Sequence, residues 1–476
     1  MTAPRSTPSL AWGVVGGGML GLTLAHRLAQ AGQRVTVLEA GPEIGGLAGA
    51  WTLGDVTWDK HYHVTLLSDS SLRELLDDLG LEQLMRWVET RTGFYTDGRL
   101  HSMSNTVEFL RFPPLGLLDK LRLGATIFAA SRRRNWRPLE RVLVADWLRK
   151  WSGERTFRKI WEPLLEAKLG ASYRRTSAAF IWATIARMYA ARRTGLKREM
   201  FGYVPGGYRR VLAHFAAALR AEGVQVRTSA AVSRVVSEPG GQVRVETTAG
   251  NQSFDRVVLT CPSAVIPELC PQLDERERAL HRGIEYLGII CASVLMDRPL
   301  ADFYVTNITD GGVHFTAVIE MTTLVPPREL GDQSLAYLPR YVSADDEAWQ
   351  WSDAEIEDRF LSALEGLYPS FRRRHVRAFQ ISRARHVMAL PTVDYSRRLP
   401  PMETSVPHVY AVNSAHIVKG TLNVNEVVEL ANEACAGVLL KPAGGQPTAV
   451  AYPRTNPATP SPEHHAEAAG ELVARP

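Results

Sequence analysis

The sequence predicts an α/β protein in which a Rossmann-like domain is interleaved with a second domain of mixed sheet plus helices. Three observations lead to this fold class. The chain opens with a short strand–helix–strand unit whose first turn is rich in glycine; a mainly helical stretch and then strand-rich segments follow; and a strand and a helix return before residue 440. Because consecutive parallel strands need crossover connections, the first and last segments are expected to share one sheet.

The composition is that of a globular chain, with 45% hydrophobic and 22% charged residues. Its 55 Lys and Arg residues against 50 Asp and Glu residues leave a net charge of +5, too small a surplus to favour a nucleic-acid partner. The four cysteines lie singly, without metal-ligand spacing, so we expect no metal and a cytoplasmic location. No apolar run reaches the ~20 residues that cross a bilayer. The oligomeric state stays open.

The opening unit is predicted from local periodicity. Residues 12–15 form a short apolar run typical of a buried strand. Residues 19–31 repeat Leu and Ala near helical spacing and end at Gly32, and Val35–Leu38 is a second strand.

Three glycines at the first turn fit the pattern G-x-G-x-x-G between a strand and a helix. Gly16 permits the tight turn, Gly18 lets the backbone approach a pyrophosphate, and Gly21 allows close packing of helix on strand. The helix N-terminus then offers free N–H groups to the phosphates. Glu39 ends the second strand, where its carboxylate can accept hydrogen bonds from ribose hydroxyls. This order of strand, glycines, helix and Glu39 predicts a dinucleotide cofactor.

The remaining elements follow in chain order. Residues 69–222 are predicted to be mostly helical, and strands dominate over 224–260 and 285–342. A helix over 353–366, strands near 377–389 and 408–412 and a final helix over 422–440 complete the chain.

A second glycine cluster, Gly41-Pro-Glu-Ile-Gly45-Gly46-Leu47-Ala48-Gly49, starts just after Glu39. Together with the first cluster it resembles the N-terminal signature of the FAD-dependent amine oxidase superfamily, which includes protoporphyrinogen oxidases, carotenoid-type desaturases and UDP-galactopyranose mutases. In that family the diglycine loop passes along the diphosphate and the inner part of the flavin nucleotide. The resemblance therefore implies FAD as the cofactor, with Gly45, Gly46 and Leu47 among its contacts.

Further segments resemble the same family. Val204-Pro-Gly-Gly-Tyr208 resembles its "PGG" helix start, and Val224–Val235 resembles the strand pair whose backbone meets the adenine, which implies a contact at Val232. His408–Asn413 and the helix after Gly420 resemble the closing segment that lies against the flavin ring. The cofactor contacts implied there are Asn413, Gly420, Thr421 and Leu422.

The resemblance implies an FAD-binding domain in three parts, interleaved with a substrate domain in two. The FAD-binding parts are 10–68, 201–262 and 401–441, and the substrate-domain parts are 69–200, mainly helical, and 263–400, rich in strands. Residues 442–476 are rich in Pro, Ala and Gly and nearly free of large apolar side chains, so they are expected to be disordered.

This chain departs from the family pattern at three positions. Glu43 stands two residues before the diglycine, where many relatives carry Arg or Lys, and Leu47 follows it, where many amine oxidases carry Arg. Asn413-Ser414 replaces the usual Gly-Asp or Gly-Glu. The phosphates are therefore expected to be held mainly by backbone N–H groups. Cys435 lies deep in the last helix and is read as a small buried side chain, not as a flavin attachment point.

Asp59-Lys60-His61-Tyr62-His63 is the densest titratable cluster, and it resembles the D-x-G-x-H strand under the flavin with histidine in place of glycine. On a strand, Asp59, His61 and His63 would share one face, and the carboxylate would raise the pKa of both imidazoles. His63 and His61 are thus the candidate catalytic residues, as proton shuttles. The alternative is that the trio braces the loop. His416 and Lys419 could supply a cation at flavin N1, against the alternative of an exposed loop.

The expected function is an FAD-dependent oxidoreductase that takes a hydride from a C–N or C–C bond of a small organic substrate. A non-redox flavin mutase acting on a nucleotide sugar and a non-catalytic binding protein similar to GDP-dissociation inhibitors are the alternatives; the complete glycine set argues against the second. Basic clusters at Arg132–Arg137 and Arg372–Arg377 are read as solvated faces, or as contacts for a phosphate-bearing substrate or an anionic membrane. Leu115–Leu118 could then form an apolar edge for peripheral membrane contact.

Overall fold

The structure is a computed structural model that describes residues 9–190 and 199–441. Its strands are β1 (Ala11–Val15), β2 (Arg34–Leu38), β3 (Ala50–Leu53), β4 (Val56–Asp59), β5 (Thr65–Leu66), β6 (Arg86–Glu89), β7 (Thr92–Thr96), β8 (Arg99–Ser102), β9 (Met200–Tyr203), β10 (Gln225–Arg227), β11 (Val232–Ser237), β12 (Val243–Thr247), β13 (Gly250–Phe254), β14 (Arg256–Leu259), β15 (Tyr286–Met296), β16 (Val305–Ile308), β17 (Ala317–Glu320), β18 (Ser334–Val342), β19 (Val376–Ala389) and β20 (Val409–Ala411).

The helices are α1 (Met19–Gln30), α2 (Ser70–Asp78), α3 (Thr106–Arg111), α4 (Leu117–Arg132), α5 (Val144–Ser152), α6 (Glu154–Thr156), α7 (Glu162–Leu169), α8 (Ala178–Ala190), α9 (Gly207–Ala221), α10 (Ile266–Leu269), α11 (Glu275–Arg282), α12 (Asp353–Leu367) and α13 (Val424–Ala434), with π-helical turns at Phe157–Trp161 and Cys435–Leu439. The longest run of helices, α3 to α8, lies between strands β8 and β9.

A five-stranded parallel sheet with the order β10-β2-β1-β14-β20 contains the first and the last strands of the chain. Val14 of β1 lies between Val37 of β2 and Val258 of β14. The expectation that the two ends of the sequence share one sheet is confirmed. The order also brings the carboxyl ends of β1, β2 and β14 to one edge, which is where ligands bind in open parallel sheets.

Helices cover one face of this sheet and a small sheet covers the other. On the first face, Leu22 of α1 packs in one core with Phe215 of α9 and Val428 of α13. On the second face, Leu259 packs with Val245 of the three-stranded antiparallel sheet β11-β12-β13. Each fully buried side chain of this size stabilises the fold by about 1.5–3 kcal/mol.

The other large sheet is mixed, with seven strands in the order β19-β15-β18-β17-β16-β7-β8. Its second strand, β15, is buried throughout, and its side chains alternate between two cores. Ile289 and Cys291 face a core that includes Trp58, whereas Ile290 faces a core closed by Phe360 of α12. The sheet thus divides the helix α12 layer from the layer that contains the histidine segment.

The prediction that residues 69–222 are mostly helical is wrong at four strands, β6 to β9. The hairpin of β7 and β8 turns at Asp97 and Gly98, whose φ angles are 54° and 69°. An Asp-Gly pair between two short alternating runs is the sequence signal of such a hairpin. The Asp-Gly pair was present, but the two runs beside it lack a clear apolar alternation.

The domain boundaries named above remain predictions. The expected disorder of residues 442–476 concerns a segment outside the described residues. Over residues 9–190 and 199–441, no helix combines the length and the apolar composition that a membrane crossing needs.

Candidate cofactor and active site

The two glycine clusters lie against each other at the carboxyl edge of the parallel sheet. The amide of Gly45 donates to the carbonyl of Gly17 at 2.8 Å, and Gly18 and Gly45 form an isolated β-bridge. A Cβ on Gly46 would lie 3.3 Å from the Cα of Gly18, and Gly46 has a φ of 56°. The approach of the two loops therefore requires residues without side chains, as the paired motif predicts.

The first turn contains a cradle with the size and donors that a diphosphate needs. Gly16 has a φ of 110°, and a Cβ on Gly21 would overlap the carbonyl of Gly16. In contrast, a Cβ on Gly18 would meet no atom within 4 Å. Gly18 is the N-cap of α1, and no side chain caps this helix end. The first amides of α1 thus point into open space with the positive end of the helix dipole, and a diphosphate fits there.

Glu39 holds the turn together through both carboxylate oxygens. Its Oε2 accepts from the amide of Gly17 at 2.6 Å, and its Oε1 accepts from the amide of Gly41 at 2.7 Å. Each oxygen retains a second lone pair that can accept from a ribose hydroxyl. The Glu39 backbone also bonds Arg227 and Ala230 at 2.8 and 2.9 Å, which brings the segment leading to Val232 beside it. The structure therefore joins Glu39 and the adenine segment, although Glu39 also has a structural role.

The residues implied near the flavin ring come from both ends of the chain. Leu47, Leu422 and Tyr62 pack against the same core beside the mixed sheet. A Cβ on Gly420 would overlap the Glu426 side chain, so a larger residue here would displace that carboxyl. Thr421 accepts from the side-chain amide of the N-cap residue of α13 at 2.7 Å. The structure thus brings Leu47, Gly420, Thr421 and Leu422 to one region.

Asn413, His416 and Lys419 are occupied by contacts within the chain. Asn413 is buried, and its side chain bonds the amide of Ala415 and the hydroxyl of Ser263. His416 accepts from the Asn413 amide and faces the Pro400 carbonyl, and burial lowers its pKa to about 4. The ammonium of Lys419 forms ion pairs with Glu429 and Glu433 of α13. The interpretation of His416 as a cation is therefore wrong, and Lys419 is neutralised by its partners.

The histidine segment differs from its prediction in conformation. Strand β4 ends at Asp59, and residues 60–64 are irregular, so the alternation that would align Asp59, His61 and His63 does not apply. Nδ1 of His61 lies 3.0 Å from the carbonyl of Leu47, which fixes His61 to the diglycine loop. Nε2 of His61 is buried without a partner among the described residues. An unpartnered acceptor beside this loop fits a bound group with N–H donors.

The predicted pKa shift of the two histidines is wrong in sign. Burial lowers the pKa of His61, and burial together with the nearby His61 lowers the pKa of His63 to about 3. The Asp59 carboxyl lies 3.9 Å from Nδ1 of His63 and cannot reverse this, because burial also raises its own pKa to about 7. Loss of hydration thus outweighs the attraction between the carboxylate and the imidazoles.

Asp59 has a partner that the sequence did not indicate. Its Oδ1 accepts from the amide of Tyr208 at 2.8 Å, in the first turn of α9, where the N-cap residue Gly206 has no side chain to cap the helix. The Asp59 carboxyl therefore joins the histidine segment to the PGG segment. A cavity of about 20 Å³, enough for one water, lies between Asp59, His63 and Tyr208. The Pro-Gly-Gly start without a capping side chain was the signal for this contact.

Two further residues near the histidine segment were also missed. The hydroxyls of Tyr62 and Tyr341 lie 3.1 Å apart, and the ammonium of Lys168 in α7 lies 3.3 Å from the centre of the Tyr341 ring. Burial raises the pKa of Tyr62 well above its ordinary value, so its hydroxyl is neutral. Tyr62 is part of the histidine segment, and the fold alone brings Tyr341 and Lys168 to it.

The diphosphate cradle, the adenine segment and the aromatic region under the mixed sheet define a flavoprotein that binds FAD along the edge of its parallel sheet. Comparison with known families agrees. The family described as flavin containing amine oxidoreductase matches residues 20–439. This chain belongs to that family, which confirms both the predicted superfamily and the predicted cofactor.

Individual relatives are distant. The coproporphyrinogen III oxidase of Mycobacterium tuberculosis is 26% identical over 291 residues, which cover 57% of this chain and 63% of that protein. A 15-cis-phytoene desaturase of Solanum lycopersicum is 22% identical over 400 residues, 77% of this chain and 66% of the relative. The alignment with the mycobacterial oxidases thus spans less than two thirds of their length.

Solved structures agree on the fold. An oxidoreductase from Methanosarcina mazei superposes with a TM-score of 0.70 at 19% identity, over 90% of this chain and 100% of that one. A putrescine oxidase with bound putrescine gives a TM-score of 0.69 at 18% identity, over 91% and 100%. The predicted fold class is confirmed. The family match supports an oxidoreductase and gives no support to the mutase or the inhibitor-like alternative.

Proposed function

We propose that this chain is an FAD-dependent oxidoreductase that removes a hydride from carbon in a small, unsaturated and largely apolar organic substrate. The observation that supports this choice is the group formed by Tyr62, Tyr341 and Lys168 beside Leu47 and Leu422. Aromatic faces and leucine side chains suit an extended π system. The Lys168 ammonium disfavours a protonated amine, because like charges repel, and favours a substrate with a carboxylate. Dehydrogenation at C–C or in a ring is therefore preferred to oxidation of an amine.

The chain's own residues would hold the cofactor as the site suggests. The amides at the start of α1 bind the diphosphate beside Gly18, Glu39 accepts from the ribose, and Leu47 and Leu422 border the ring. When bound, FAD supplies the hydride-accepting ring. The relatives named coproporphyrinogen oxidase and phytoene desaturase agree with a substrate of this chemistry.

One residue is a better candidate than the two histidines for holding the proton of the reaction. At pH 7 a histidine with a pKa of about 3 is neutral and a weak base, whereas a carboxyl with a pKa of about 7 is present in both forms. We therefore assign the proton-holding role in this cluster to Asp59, with His63 beside it across the water-sized cavity. His61 positions the diglycine loop through Leu47.

Anaerobic bleaching of the flavin absorption tests the proposal. Purified protein loaded with FAD is mixed with a porphyrinogen, a polyene, and mono- and diamines. We expect bleaching by a porphyrinogen or a polyene and none by the amines. Bleaching by amines alone would contradict the proposed substrate class. Protein that stays colourless after incubation with FAD and removal of the unbound cofactor would refute the proposed function as a whole.

The lysine is tested separately. Lys168→Met should raise KM about tenfold or more for a carboxylated substrate, the scale of one charge-assisted hydrogen bond, with little change for a neutral one. Lys159→Met is the matched control, because the Lys159 ammonium forms an ion pair with Asp97. Equal effects of the two variants would show that Lys168 does not meet the substrate.

For location we retain the cytoplasm as a proposal. Cys270, Cys291 and Cys435 are buried free thiols, and burial raises the pKa of Cys435 to about 12 and of Cys270 to about 11. Thiols in this state suit a reducing compartment. Fractionation of cells expressing the native gene, with activity followed in each fraction, tests this directly.

A further inference from the structure

Large apolar side chains are exposed mainly on one surface. Six of the nine that are exposed in the described part of the chain lie on α3, on α4 or beside them. We call this surface the α3–α4 face and define it by Val107, Leu110, Leu117, Leu118, Leu121 and Phe128. Exposed apolar residues scattered singly need no explanation, but a contiguous group on two successive helices marks an interaction site.

Helix α4 exposes an apolar stripe to solvent, whereas an ordinary surface helix buries its apolar stripe against the core. Leu117, Leu121 and Phe128 recur at helical spacing and are 67%, 58% and 53% exposed, and Leu118 beside them is 75% exposed. The only charged side chain on the buried side is Lys120, whose ammonium donates to the carbonyl of Leu110 at 2.7 Å. The polar contact is thus turned inward and the leucines are turned outward.

Basic residues are concentrated in the segment that carries this apolar surface. Between Asn105 and Arg137 the sequence contains seven Lys and Arg residues and two Asp and Glu residues. This surplus of five equals the formal net charge of the entire chain. The two acids are occupied: Asp119 pairs with Arg155 at 3.6 Å, and Glu108 accepts from Ser102 and from the Ser104 amide. The local charge is therefore positive.

The two basic clusters of the sequence differ in their partners. In the second, Arg373 pairs with Asp358 at 2.8 Å and Arg377 with Asp297 at 3.3 Å. In the first, the guanidinium groups of Arg132–Arg134 form no ion pair with any described residue, and that of Arg132 lies 5.3 Å from the centre of the Phe128 ring. The second cluster is a solvated face, whereas the first is available to an external anion next to apolar side chains.

We propose that the α3–α4 face docks onto the surface of an anionic lipid bilayer. Helices that lie in a membrane interface combine an apolar face, which enters the acyl boundary, with Lys and Arg at the level of the phosphates. Trp151, 49% exposed on α5, adds an aromatic side chain of the kind enriched at that level, and the carbonyl of its neighbour Lys150 accepts from Arg122 at 3.5 Å. A surface with one sign of charge around its apolar centre matches anionic lipid and repels a second copy of itself. The proposal does not depend on the substrate.

Flotation with lipid vesicles tests the apolar part. Wild-type protein loaded with FAD is mixed with vesicles of phosphatidylcholine, with or without phosphatidylglycerol, and should float with the anionic ones. A fourfold variant, meaning one with four substitutions, combines Leu117→Ser, Leu118→Ser, Leu121→Ser and Phe128→Ser. Its affinity for anionic vesicles should fall about tenfold or more. Its melting temperature and flavin content should not change, because the replaced side chains bury little surface. The matched control is Leu84→Ser with Val142→Ser, two exposed apolar residues that lie on neither α3 nor α4.

Arginine variants test the electrostatic part. Replacing Arg132, Arg133 and Arg134 with glutamine should weaken binding to anionic vesicles by about fivefold for each residue. In ~1 M salt the wild-type protein should also bind these vesicles more weakly, because the salt screens the charges. Arg374→Gln in the second cluster is the control and should bind as wild type does.

Three results would overturn the proposal. Wild-type protein that stays with the unbound fraction has no membrane site. A fourfold variant that floats like wild type binds through another surface. Self-association that disappears in the fourfold variant, without vesicle binding, would show that a second copy covers the α3–α4 face.

Discussion

Replacing Gly18 with valine should impair FAD binding while leaving the fold nearly unchanged. The backbone of Gly18 has φ of −75° and ψ of 174°, which a β-branched residue adopts without strain. A Cβ there meets no protein atom within 4 Å, so the side chain enters the cradle in front of α1. The fold should therefore tolerate Gly18→Val, at the cost of about 1 kcal/mol for a poorer N-cap residue. In a chain of this length that lowers Tm by at most about 4 °C.

The cofactor should not tolerate it. A side chain in the cradle displaces the diphosphate from at least two charge-assisted N–H contacts, each worth about 1.5–3 kcal/mol, so the Kd for FAD should rise by roughly 10² to 10⁴-fold. The ratio of flavin to protein absorbance after purification and a titration of FAD-free protein measure this change. Gly21→Ala is the matched control: its Cβ overlaps the Gly16 carbonyl, and it should lower Tm by several degrees as well as flavin content. A fully loaded yellow Gly18→Val protein would refute the cradle.

Three further predictions follow from the same structure. Glu39→Ala should weaken FAD binding about ten- to a hundredfold in a fluorescence titration, because a carboxylate that accepts from ribose is lost; unchanged affinity would place Glu39 away from the cofactor. Lowering the pH from 6.5 to 5 should cost the folded, FAD-free protein about 2 kcal/mol through His63, whose folded pKa lies below that of the unfolded chain, so its stabilisation is present above pH 6.5 and is lost on acidification. The raised pKa of Asp59 gives a contribution of opposite sign between about pH 4 and 7, which offsets most of this loss in the wild type, so Asp59→Asn should expose the loss and His63→Gln should leave a protein that gains stability on acidification; urea unfolding at both pH values checks this, and parallel curves for His63→Gln and wild type contradict it. Deleting residues 442–476, which have few large apolar side chains, should leave flavin content and Tm nearly unchanged, and a loss of several degrees would reveal a docked segment.

The parts of the fold that were predictable from the sequence are those encoded in adjacent residues. The opening strand, helix and strand were placed within one or two residues, since their signals are a glycine pattern and one helical repeat. The hairpin of β7 and β8 was missed although its Asp-Gly turn is local, because its edge-strand residues lack a clear apolar alternation. Its register depends on the parallel pairing with β16, far along the chain.

The candidate site divides in the same way. Gly16, Gly18 and Glu39 act through backbone geometry that the motif encodes, so their positions could be anticipated. The protonation of the histidine segment could not, because it depends on how much water the fold excludes. Asp59 meets the Tyr208 amide across 149 residues of sequence, and neither the burial nor this hydrogen bond leaves a mark in the spacing of Asp59, His61 and His63.

The strand order of the parallel sheet has a consequence for biosynthesis. β1 pairs with β2 at once, but its other neighbour, β14, is translated more than 200 residues later, and β20 follows only near residue 410. At ~5–20 residues per second, the apolar edge of β1 waits on the order of tens of seconds for its partner. The adenine segment beside Glu39 and the N-terminus of α13 also arrive late. The FAD contacts predicted beside α13 can therefore form only after synthesis of the last helix, and until then the nascent chain exposes a sheet edge that is a natural target for chaperones.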